Sequence, residues 1–84
     1  MSARVRLEKR RRSDSAVFRG ELEETVILRG EEVVAVLPEG DPLRHSLELS
    51  AEELRSLRAS LGPVVEARPR VKEVIEALIE YKQQ

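Results

Sequence analysis

The sequence predicts an α+β domain, with a small antiparallel sheet of three or four strands in residues 3–49 covered on one face by two helices in residues 50–84. Two observations carry this. The first half alternates apolar and polar residues in short runs separated by Gly, Pro, Ser and Asp, the pattern of half-buried strands and tight turns. The second half repeats its apolar residues at helical spacing, and each repeat is bounded by start and stop signals. At 84 residues the chain has room for a single domain.

Taken in order, Val5 and Leu7 alternate with Arg4, Arg6 and Glu8, and Ser13-Asp14-Ser15 reads as a turn before Ala16-Val17-Phe18, so a basic N-terminal β-hairpin is expected. Residues 19–24 read as strand, with Gly20 marking a bulge. A second hairpin joins 26–28 to 33–37, because Gly30 supplies the positive φ that a tight turn needs. Pro38-Glu39-Gly40-Asp41-Pro42 is loop by composition, and the alternation of Leu47 and Leu49 with Ser46 and Glu48 suggests a short fourth strand.

Ser50 and Glu53 form a capping box, Leu49 and Leu54 take the staple positions, and Gly62-Pro63 is a stop, which together predict a helix over 51–61. Val64 and Val65 then read as a further pairing segment or a packed linker. Val71, Val74, Ile75, Leu78 and Ile79 form one stripe on a helix that Pro69 opens, spanning 69–82. Residues 33–37 are apolar without alternation, so both faces of that strand need cover; the helices supply one, and a second copy of the chain, as a homodimer, is the expected cover for the other.

Composition bounds the function. The absence of cysteine excludes disulfides and thiolate metal sites. No window reaches the length of a membrane span, and no signal-peptide core follows the basic start, so a cytoplasmic protein of a prokaryote or its phage is expected, with no membrane partner. Asn is missing and Arg outnumbers Lys by twelve to three, which fits a thermophilic source, a GC-rich genome giving the same Arg excess. His45, the single histidine, stands beside a Pro-rich loop without a nucleophile turn near any serine, and Ser50 is accounted for as a cap. Carboxylates are scattered rather than set at a calcium-loop spacing, and there is no phosphate-binding glycine loop. No catalytic residue, metal or cofactor is therefore expected.

Charge is sorted along the chain although the net charge is −1. Residues 1–20 carry a balance of +5, residues 21–53 of −8, and residues 54–84 of +2. The candidate site is the basic arm, Arg4, Arg6, Lys9, Arg10, Arg11 and Arg12 with Arg19 in support, read as phosphate contacts of a nucleic-acid-associated protein or transcription-related regulator. Arg4 and Arg6 should share the outer face of their strand, and Arg10 to Arg12 should crowd the hairpin tip. The alternative is a protein-binding adaptor or inhibitor that acts on a larger complex, such as RNA polymerase, through the acidic segment 21–41 or an exposed apolar sheet face. A third reading has the arm neutralised by the acidic middle of its own chain, as a protected sheet edge.

The run Val26-Ile27-Leu28-Arg29-Gly30-Glu31-Glu32-Val33-Val34-Ala35-Val36-Leu37 resembles the hairpin of Phd-type antitoxins. The likeness covers these twelve residues and implies a regulator, but no site residues; the chain before it lacks that family's amphipathic N-terminal helix.

Overall fold

The computed structural model describes residues 3–13 and 21–84, with no side-chain description for residues 12, 13, 21 and 22. The Asp14-Ser15 turn, the Ala16–Phe18 strand, the Gly20 bulge and Arg19 lie outside the described residues. Three strands, β1 (Val5–Ser13), β2 (Glu21–Arg29) and β3 (Glu32–Pro38), form an antiparallel sheet in the order β1-β2-β3. A 3-10 helix follows at Pro42–Glu48, then α1 (Ala51–Leu61), α2 (Pro63–Ala67) and α3 (Pro69–Gln83). The sheet with helices over one face matches the α+β expectation, with three strands among the described residues.

Residues 21–24 and 26–28 belong to one nine-residue strand, so β2 is the partner of β1 on one side and of β3 on the other. The β2–β3 turn is Gly30-Glu31, and Gly30 has φ +62°, while among the described residues none other than glycine has positive φ. Positive φ at the first central residue alone is the II′ pattern, whose twist matches that of the flanking strands. A side chain at Gly30 would in addition press its Cβ to within 3.0 Å of Ala3 Cβ.

Two expectations give way. The segment around Leu47 forms the 3-10 helix rather than a fourth strand, because Asp41 accepts a hydrogen bond from the Leu43 N–H at 2.9 Å and Pro42 stands in the first turn. Val64 and Val65 lie in the single turn of α2, where Pro63 starts a new helix directly after Gly62. The capping box forms as read: Ser50 Oγ accepts from the Glu53 N–H, and Glu53 Oε1 accepts from the Ser50 N–H, both at 3.1 Å.

Helix α3 organises the core. Its stripe buries Val74, Ile75, Ala77 and Leu78, and the core joins Val74, Ala77 and Leu78 to Val5, Ile27, Ala35 and Leu37 of the three strands and to Leu54 of α1. Burying each of the larger side chains contributes on the order of 1.5–3 kcal/mol. Asp41 ties the layers together at one end. Its carboxylate accepts from Arg70 of α3 at 2.6 Å, and Arg70 also donates to the Val36 carbonyl of β3 at 3.0 Å.

Burial raises the Asp41 pKa, but the Leu43 N–H and the Arg70 and Arg44 guanidinium groups outweigh it, so the group is held below its ordinary value of 3.8. A depressed folded-state pKa gives stability that is complete above the ordinary value and is lost as pH falls through the folded one. The melting-temperature advantage of wild type over Asp41→Asn should therefore close as pH falls below 3.8, which thermal melts across that range will show. A second prediction concerns Thr25, 3% exposed with no hydrogen-bond partner for its hydroxyl among the described residues. The near-isosteric Thr25→Val removes an unsatisfied buried group and should stabilise by about 1 kcal/mol. Calorimetry should record that as a rise in Tm of roughly 4–8 °C.

Candidate interaction surface

The arm residues are divided by the pleat. Side chains alternate between faces along a strand, and paired residues share a face. Val5 and Leu7 point toward the helices with Ile27, Ala35 and Leu37, so Lys9 and Arg11 project on that side, beyond the core. Arg6, Glu8 and Arg10 point to the opposite face, with Arg4 continuing the same row. Arg4 and Arg6 are exposed and share that face, as their alternation implied. Arg10, Arg11 and Arg12 all lie within β1 rather than at a turn; the Arg12 side chain and the whole of Arg19 are outside the described residues.

The strand opposite this basic row is acidic. The register sets Arg10 against Glu24, Arg11 against Glu23, and Ser13 against Glu21. Within the row, Glu8 lies between two arginines, 3.5 Å from Arg6 and 2.9 Å from Arg10. Glu23 also receives Arg44 of the 3-10 helix at 3.3 Å, and Arg11 and Glu24 are likewise engaged. Among the described residues of the arm, the side chains of Arg4 and Lys9 meet no acid.

Beside the arginine row on the face away from the helices runs an apolar strip. Val26 and Leu28 are 1% and 3% exposed, whereas Val33 and Val36 of β3 are 47% and 37% exposed. Val36 lies beside Val26 and Val33 beside Leu28, one residue of β3 being absorbed by an irregularity in the ladder at Ile27/Leu28. Of the apolar residues in 33–37, Val33 and Val36 are thus the exposed ones.

The sheet's edges are treated unequally. At the outer edge of β3 the Val36 carbonyl receives Arg70, while the carbonyl of Leu37, whose backbone faces β2, takes a bond from Arg44 at 3.1 Å. At β1, the Gln84 side-chain amide satisfies both backbone groups of Val5, accepting its N–H at 2.7 Å and donating to its carbonyl at 2.8 Å. Sequence reasoning passed over Gln84, Arg44 and Arg70. No periodicity marks a lone glutamine, and the two arginines act on backbone atoms that only the fold brings near.

Depressions lie on the helical side. One of about 430 Å³ is lined by Arg55, Arg58, Ala59, Gly62, Val65 and Glu66. Another of about 350 Å³ is lined by Gly40, Asp41, Arg44, His45, Leu47 and Glu48, and its Asp41 and Arg44 are already committed to structural bonds. Among the described residues no group of three or more His, Asp or Glu gathers as a metal site, and no helix is long and apolar enough to cross a membrane. Compared with family models, curated proteins and solved structures, the chain matches none.

The Gln84 clamp is testable apart from any function. Gln84→Ala should cost about 2 kcal/mol, each of the two lost intramolecular hydrogen bonds being worth about 1 kcal/mol. Amide exchange should show the Val5 N–H losing protection while the Ile27 amide stays protected.

Proposed function

We propose that the domain is a non-catalytic binding module that docks an acidic protein partner against β1 and the adjoining Val33/Val36 face. The observation that supports this most directly is the juxtaposition of two half-exposed valines with the Arg4, Arg6 and Arg10 row on one sheet face. A phosphate backbone would use the arginines but leave the valines idle, and it would approach Glu8 and Glu24 as well. Of the two readings from the sequence that name a partner, the adaptor or inhibitor is therefore preferred to the nucleic-acid-associated protein, and its surface is basic and apolar rather than the acidic segment. The partner supplies carboxylates for the arginine rim and apolar side chains for the valines, and the rim sets orientation and encounter rate.

Fluorescence anisotropy decides between the partners. The probes are a labelled peptide of alternating glutamate and valine, random duplex DNA, and single-stranded RNA, each at low and near-physiological salt. The peptide should bind more tightly than either nucleic acid. Arg4→Ser/Arg6→Ser/Arg10→Ser and Val33→Ser/Val36→Ser should each weaken it by about tenfold, or 1.4 kcal/mol. Tighter binding of DNA or RNA, steeply salt-dependent and indifferent to the valines, would restore the phosphate-contact reading. Absence of peptide binding would overturn the proposal, and concentration-dependent sedimentation of wild type lost in the valine variant would assign the face to a second copy.

A further inference from the structure

The geometry points to strand addition as the mode of docking: the outer edge of β1, from Leu7 to Lys9, takes up an extended acidic segment of the partner as a fourth strand. This rests on the acidic protein partner proposed above and goes beyond it in naming the atoms that bind. Arg4 accepts from the Gly30 N–H at 3.1 Å, so its backbone faces β2, whereas both backbone groups of Val5 turn outward to Gln84. Antiparallel ladders alternate, and the nine-residue register contains no irregularity. The N–H and C=O groups of Leu7 and Lys9 therefore also point outward, and among the described residues nothing meets them.

Three facts separate this edge from an idle one. The chain covers outward backbone groups elsewhere, with Gln84 at Val5 and with Arg70 at Val36 of β3, and the uncovered stretch lies within the basic strand. The inner edge shows the chemistry with which β1 pairs, since β2 brings Glu21, Glu23 and Glu24 into register with it. Finally, the charges discriminate between occupants. A second copy of β1 would set one strongly basic strand beside another, which like-charge repulsion disfavours, whereas an acidic strand would find on the outer edge the cations it already finds on the inner one. Main-chain bonds would give affinity and the alternate side chains specificity, the usual division in strand addition.

The test uses the full chain and the glutamate–valine peptide, alongside the same peptide N-methylated at alternate residues so that one edge cannot donate. Nuclear magnetic resonance should show the Leu7 and Lys9 amides exchanging freely in the unbound protein and protected in the complex. N-methylation should weaken binding at least tenfold. Lys9→Pro removes an outward N–H, which an edge strand tolerates, and should weaken binding well beyond Lys9→Ala, which removes the charge alone. Thermal melts of both variants will confirm the fold, and if Lys9→Pro does not fold the N-methylated peptide carries the comparison. Unmethylated and methylated peptides binding alike, with unchanged Leu7 and Lys9 exchange, would overturn strand addition while leaving the acidic-partner reading in place. No binding of either peptide would remove both.

Discussion

The in-register pairing of a basic strand with an acidic one is the constraint on which the rest of the molecule depends. Nine consecutive pairs join β1 to β2, and two independent forces hold them in place. A slip of one residue would turn Val5 and Leu7 away from Ile27 and expose them. A slip of two would restore the faces but move Arg10 and Arg11 off Glu24 and Glu23. Core burial thus fixes the parity of the register and charge fixes its value. With β2 set, its other edge orders β3, and the apolar face so assembled gives α3 a floor.

Much of this was legible where the determining forces are local. The α3 stripe was read correctly because Val74, Ile75 and Leu78 recur at helical spacing, and all three are fully buried. The capping box and the Gly30 turn were equally clear, since each is decided within a few residues. The errors arose where two local signals competed. Four alternating residues, from Ser46 to Leu49, suggested a strand, yet Asp41-Pro42 just before them carried both a cap and a helix-starting proline. The same proline logic placed Val64 and Val65 in a helix.

The candidate surface was legible only in outline. Period-two alternation was enough to separate Arg4 and Arg6 from their apolar neighbours, and extending it along β1 places Arg10 with them and Lys9 and Arg11 opposite. Hidden was the identity of the strand beside them. The register of β1 with β2 sets acids beside bases, and it turns the basic run from a free arm into one side of a paired ribbon. The contacts of Arg44, Arg70 and Gln84 with backbone carbonyls were out of reach for a different reason. A carbonyl has no residue identity, so no sequence pattern announces that one needs a donor.

The position of α3 after the sheet bears on how the chain is made as well as on how it stands. Ribosomes deliver the strands before the helix that roofs them, so Ile27, Ala35 and Leu37 spend an interval with water where Val74 and Leu78 will later lie. A nascent sheet in that condition is open to association with its neighbours on the polysome. The opposed charges of β1 and β2 suit that interval: they favour the pairing of the two strands, and the basic outer rim disfavours association between identical chains.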